Sequence, residues 1–158
     1  MTTTASTILL LLGAAASNCF AGPSEERRLT PTEIAGLAKN SGGAGTSGLP
    51  AVTTTVLYGD PAQRGLYTIH LEVAPNTTIR AHTHKDTRTA SVVSGMWHFG
   101  YGEQNLPELL RLLPAGSFYT EPAGQPHFAR TGPEGAQVMI TGYGPTDTLY
   151  VEHASSGD

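Results

Sequence analysis

Between Leu66 and Val73 the apolar residues fall on every second position: Tyr67, Ile69, Leu71 and Val73 share one face, and Thr68, His70 and Glu72 share the other. A period of two marks a strand with one buried side, and it assigns His70 to the outer, solvent-facing set. The same period, broken by turn residues, recurs from about residue 51 onward. It covers 51–57 ahead of Gly59-Asp60-Pro61 and 66–73 ahead of Pro75-Asn76, then 78–84, 89–93, 96–101, 110–113, 117–120, 127–130, 137–143 and 148–152. Eight to ten short strands at this spacing predict an all-β sandwich or barrel. No internal repeat or coiled-coil pattern interrupts it.

The first fifty residues read differently. Ile8 to Leu12 and Gly13 to Ala16 form an apolar stretch too short to cross a bilayer, and Ala21 offers a small residue before a cut. Residues 1–21 therefore read as a secretory signal peptide, which implies a secreted or periplasmic protein. No Lys or Arg precedes the apolar stretch, so a lipoprotein anchored on Cys19 and a tail on a cytoplasmic protein stay open as alternatives. Thr30-Pro31-Thr32-Glu33 is a helix start, with a capping threonine, a proline at the first helical position and a glutamate to complete a capping box. A short helix to about Lys39 is expected, and 41–50 (SGGAGTSGLP) reads as a flexible linker. The domain plan is then a leader over 1–21, helix and Gly/Ser-rich linker over 22–50, a barrel over 51–153 and a tail over 154–158.

Composition narrows the function classes. At 158 residues the chain is long enough for one domain, and nineteen glycines and eleven prolines suit a turn-rich β fold. The net charge is -4 and the longest basic run is Arg27-Arg28, so nothing is built to neutralise a phosphate backbone and nucleic acid is not an expected partner. Cys19 is the only cysteine, which excludes a disulfide framework and thiolate chemistry in the mature chain.

The candidate chemistry lies in the histidines. In an extended strand, residues two apart point the same way about 7 Å apart, so His82 and His84 can turn both imidazoles into one pocket. The pair alone is a weak signal in a chain with six histidines. A third histidine, His127, closes the stretch Gly116-Ser-Phe-Tyr-Thr-Glu-Pro122-Ala-Gly124-Gln-Pro-His127, in which a proline ends one strand and a glycine turns the chain into the next.

His82, His84 and Gly95 at their spacing resemble the first motif of the cupin superfamily, and Gly116, Pro122, Gly124 and His127 resemble its second. The resemblance covers about residues 74–130. It implies a double-stranded β-helix, or jelly-roll barrel, with a divalent ion such as Fe, Mn, Zn or Ni in its mouth, and it matches His82, His84 and His127 to the three histidine ligands. Two positions depart from the family pattern: Arg88 stands where the pattern has a glutamate ligand, and Thr131 where an asparagine often closes the second motif.

Arg88 is the informative departure, because a guanidinium is always protonated and has no lone pair to give a metal. Three readings stay open. The site is a three-histidine centre and Arg88 is a catalytic fork that orients a substrate carboxylate. Or another acid takes the vacant place, Asp86 or Glu121, although strand parity opposite to Phe118, Thr120 and Pro122 turns Glu121 away. Or no metal binds and an ion pair to Arg88 closes a plain polar pocket. Tyr67, Phe118 and Tyr119 are expected as core or pocket walls. His98 is expected outside the barrel, His153 free near the C-terminus, and Arg80 inward by parity or solvated at the rim. The resemblance leads to a metal-dependent enzyme, of oxygenase, decarboxylase, isomerase or lyase type, acting on a small anionic or oxygenated metabolite. The alternative is a non-catalytic exported domain that binds or senses a small ligand or metal. A homodimer fits either, and no membrane span is expected.

Overall fold

The computed structural model describes residues 26–151. The expected signal peptide, Cys19 and His153 lie outside the described residues. Helix α1 (Pro31–Ala35) is followed by β1 (Val52–Tyr58), β2 (Gly65–Val73), β3 (Thr78–Thr83), β4 (Arg88–Tyr101), a 3-10 turn (Pro107–Leu109), β5 (Arg111–Pro114), β6 (Phe118–Glu121), β7 (His127–Gly144) and β8 (Leu149–Tyr150). The capping box at Thr30 forms as expected, with the Glu33 carboxylate accepting from the Thr30 N–H at 2.7 Å. The helix stops at Ala35, short of Lys39. None of its residues is buried, so no packing extends it, and Gly36 closes its end.

Two expected pairs of strands are single long ones. Residues 89–93 and 96–101 form β4, and 127–130 and 137–143 form β7. Gly95 (φ 76°) and Gly135 (φ 71°) lie at the fold-over of these strands, where Gly95 pairs with Ala136 between two bulges. Glycine in the left-handed region bends each strand instead of ending it. Every pairing is antiparallel, and each half of a bent strand serves a different sheet. The 136–144 half of β7 lies between β2 and the 88–95 half of β4, giving the order β1-β2-β7-β4-β6. The 127–131 half lies between β3 and the 97–101 half of β4, giving β8-β3-β7-β4-β5. The expected jelly-roll barrel is thus two five-stranded sheets sharing two bent strands. Tyr67, Ile69, Val92, Trp97, Val138 and Ile140 fill the space between them.

Residues 41–50 are a packed cap, and this corrects the expected loose linker. The Gly45 carbonyl accepts from Thr54 Oγ1 at 3.3 Å, the Thr46 carbonyl from Thr148 Oγ1 at 2.9 Å and the Ser47 carbonyl from Tyr150 Oη at 2.7 Å. Small side chains do not prevent packing when the backbone itself makes the contacts. A Cβ on Gly45 (φ 78°) would lie 3.0 Å from Pro61, so this part of the cap sits close to the barrel.

Thr131, at the family's asparagine position, joins β7 to the chain before β3. Its hydroxyl donates to the Ala74 carbonyl at 2.7 Å and accepts from the Thr77 N–H at 2.9 Å. His70 is only 6% exposed, which corrects its placement on the surface, and it stands apart from the other buried histidines.

Candidate metal centre

Two cross-strand pairs meet at one end of the barrel. On one sheet His82 of β3 faces His127, the first residue of β7, in register. On the other, Arg88 opens β4 opposite Glu121, the last residue of β6. His84 lies just past the end of β3, in the turn that leads to Arg88. A bulge shifts the register between Ile79 and His82: β3 takes three steps there against two on β7. It moves burial from Ile79 and Ala81 to His82 and His84. Arg80 is exposed, with its guanidinium 4.9 Å from the Tyr150 ring centre, so it is solvated and does not add charge to the pocket.

The three imidazoles converge. Their ring centres are 4.4–5.0 Å apart, and one nitrogen from each lies within 4.8 Å of the others. Each Nδ1 touches a backbone carbonyl: His82 that of Arg80 at 2.7 Å, His84 that of Asp147 at 2.5 Å, and His127 that of Gln125 at 3.0 Å. A carbonyl can only accept, so each Nδ1 carries the proton and donates, and each Nε2 of a neutral ring keeps its lone pair. The rings are neutral. Burial lowers His82 to about 4 and, with Arg88 adjacent, His84 to about 2, and it lowers His127 as well. His127 Nε2 is buried with no hydrogen-bond partner. Neutral imidazoles anchored at Nδ1, with Nε2 turned to a common point, are what a divalent ion needs, and the residues fit one.

Glu121 lies beside this set, which corrects the expectation that it faces away. It is 3% exposed, and its Oε2 is 3.7 Å from His84 Nε2 and 3.8 Å from His127 Nε2. Its parity opposite Phe118 and Thr120 holds, but the inward face belongs to Tyr119 and Glu121. Phe118, expected as a wall, is 62% exposed. Arg88 Nε donates to Glu121 Oε2 at 2.6 Å, and Nη2 contacts both that oxygen and His84 Nε2. Burial would raise the Glu121 carboxyl, but Arg88 beside it holds it at about 2. The guanidinium fork expected to be open for a substrate anion is engaged by Glu121 in this structure. Asp86, the other candidate acid, has both oxygens occupied, accepting from Tyr67 Oη at 2.7 Å and Thr146 Oγ1 at 2.5 Å.

The partly open space beside the histidines holds a volume of about 30 Å³, enough for about two waters. Gly45, Thr46 and Ser47 of the cap line it, as do Trp97, Phe99 and Tyr119. Trp97 Nε1 and Tyr119 Oη are buried without partners. Trp97 and Phe99 fill the barrel, leaving His98 on the opposite face of β4, outside as expected.

The protonation states give these groups one sign. The metal-free protein is expected to lose stability as pH falls. Each histidine's folded value is below its ordinary 6.5, so the unfolded chain takes up protons first. Stability present above pH 6.5 is lost on the way down to about 4 for His82 and to about 2 for His84. Glu121 adds loss of the same sign between 4.5 and about 2. Denaturant midpoints measured from pH 7 down to 4.5 should decline, and His82→Ala should flatten that decline. A level profile would contradict neutral buried imidazoles.

The sequence matches no protein-family model and no curated protein. Solved structures do resemble the fold. An RmlC-like cupin from Shewanella frigidimarina superposes at a TM-score of 0.55 with 16% identity, over 76% of this chain and 92% of that one. The polyketide cyclase RemF from Streptomyces resistomycificus superposes at 0.64 with 18% identity, over 83% and 89%. An oxalate decarboxylase from Bacillus subtilis superposes at 0.51 with 14% identity, over 70% of this chain and 28% of that one. These likenesses show that the chain has the jelly-roll fold of the cupins. On that fold the chain carries three clustered histidines and an arginine, Arg88, at the position where the resembling motif has glutamate.

Proposed function

We propose that the protein binds a divalent ion through His82, His84 and His127 and acts as an enzyme on a small anionic or oxygenated metabolite. One observation carries this reading: three neutral imidazoles, each fixed at Nδ1 by a backbone carbonyl, bring a nitrogen within 4.8 Å of one another. A bound ion would supply Lewis-acid polarisation of a ligand oxygen or activation of water or dioxygen. The chain's own residues supply the rest. The carbonyls of Arg80, Gln125 and Asp147 hold the tautomers, Gly45, Thr46 and Ser47 of the cap wall the space, and Trp97 Nε1 and Tyr119 Oη offer donors to an oxygen atom. Arg88 and Glu121 keep opposite charges in balance beside the ion. Whether the ion is Fe, Mn, Zn or Ni is decided by elemental analysis of the purified chain.

The size of the cavity favours a second reading. Space for about two waters admits dioxygen or water but not a metabolite while the cap is seated, which suits a domain that captures an ion or a very small ligand without turnover. Export to a secreted or periplasmic location, and pairing as a homodimer, belong to both readings.

Metal titration tests the shared core. The whole chain is expected to take up close to one equivalent of a divalent ion. His82→Ala and His127→Ala should each weaken uptake by at least a hundredfold while far-ultraviolet circular dichroism stays unchanged. Equal uptake by the variants, or none by the parent, sinks the metal reading. Release of bound ion on opening the cap with Gly45→Val, together with turnover of small carboxylates, would separate enzyme from binder.

A further inference from the structure

Resting on the metal-centre reading, we propose that Glu121 is a fourth side-chain ligand of the centre, delivered by β6 and held in aim by Arg88. The resemblance puts a carboxylate at position 88, on β4. Here the charge has crossed to the neighbouring strand, and the arginine left at 88 has become a positioning residue.

Distance supports this first. Glu121 Oε2 is 3.7 Å from His84 Nε2 and 3.8 Å from His127 Nε2. Two donors bound to one first-row ion at about 2.1 Å each lie roughly 3.0–3.4 Å apart, so the carboxylate closes onto an ion by a few tenths of an ångström. Register supports it next. Arg88 pairs with Glu121 across β4 and β6 as His82 pairs with His127 across β3 and β7, and all four side chains are buried facing one cavity. Acceptor capacity also allows it: both Arg88 contacts fall on Oε2, so an ion is taken either by Oε1, which has no Arg88 contact, or by Oε2 in place of one Arg88 N–H.

Charge explains why the arginine is there. A carboxylate buried beside three neutral rings is costly without a counter-charge, and Arg88 provides one when no ion is bound. When an ion binds, Glu121 has two cationic neighbours and Arg88 remains its lateral support. A pairing with Arg88 alone does not require the carboxylate to stand within 4 Å of two imidazole nitrogens. Asp86, also buried and only two residues from His84, has each oxygen bonded to a hydroxyl, Tyr67 Oη and Thr146 Oγ1, and neither imidazole beside it.

Cobalt(II) serves as the probe, since its visible spectrum reports the ligand set independently of activity. Glu121→Gln is expected to lower cobalt affinity at least tenfold and to change the position and intensity of the visible bands. If the variant is too unstable to study, because Arg88 is left unpaired, Arg88→Met is compared with Arg88→Met/Glu121→Gln, which removes the charge from both backgrounds. The double variant should again bind at least tenfold more weakly than Arg88→Met and show a shifted spectrum. A spectrum in the glutamine variant that superposes on the parent's overturns the assignment, even if affinity falls, because Glu121 would then act by charge alone. If the parent binds no cobalt, the three-histidine reading fails with it. If the parent binds and only the Glu121 comparison is flat, that reading stands and this one falls.

Discussion

Arg88→Met is expected to tighten metal binding and to weaken the metal-free fold at the same time. Arg88 is 5% exposed, and its nearest acidic partner is Glu121, itself 3% exposed. Removing one member of a buried pair leaves the other charge uncompensated, which typically costs about 3–5 kcal/mol. Methionine fills much of the volume without supplying a donor, so the cost falls on Glu121. A divalent ion restores the missing counter-charge. It also no longer faces a guanidinium in contact with His84 Nε2, where a unit charge at about 4 Å contributes roughly 4 kcal/mol at the effective dielectric of such sites. At least a tenfold gain in affinity is expected, with a larger rise in Tm on adding metal than the parent shows. Weaker binding by the methionine variant would mean that the support Arg88 gives Glu121 outweighs its repulsion of the ion, and the charge argument would be wrong.

That result would settle a point the sequence leaves open. The barrel is legible in the alternation of residues 66–73 and in the turns between the short runs, because a sheet buried on one face imposes a period of two. The three histidines are legible because the two motifs keep fixed offsets from the glycines that turn the chain. Glu121 is not. Parity correctly opposes it to Phe118 and Thr120, but which face is inward depends on what packs against β6. Tyr119, at 6% exposure beneath Phe99, decides that against Phe118. An arginine at the head of one strand and a glutamate at the end of another could have been read as a pair only with the register in hand.

The continuity of β4 and β7 likewise depends on register. Gly95 and Gly135 look like strand ends, but Gly95 pairs with Ala136, next to Gly135, so two breaks become one bend. The segment 41–50 fails in the opposite direction. Its composition is that of a linker, and its order comes from three backbone carbonyls that accept hydroxyls from β1, β8 and Thr148. Composition reports side chains, and this cap is held by main chain.

Gly142→Ala is expected to be among the most damaging single-methyl changes in the protein, with a loss of about 3–5 kcal/mol from overpacking together with a broken hydrogen bond to a charge. Nothing in the sequence marks this glycine, which lies in the interior of β7 between Tyr67 on β2 and Arg88 on β4. A Cβ at 142 would fall 2.5 Å from Tyr67 Oη and 2.6 Å from Asp86 Oδ2, the two atoms joined by a 2.7 Å hydrogen bond. Tyr67 is fully buried and Asp86 nearly so, and neither has space to withdraw. Asp86 lies in the turn between His84 and Arg88, so displacing it moves a metal-binding histidine and the guanidinium together. The variant should therefore lose metal affinity as well as stability, although it touches no histidine. Gly132→Ala is the matched control: its added methyl meets only the flexible end of Met96, at 3.3 Å, and should cost under about 1 kcal/mol. If thermal unfolding puts the two variants within error of each other, the Tyr67–Asp86 contact is not the rigid back wall that holds the site in shape.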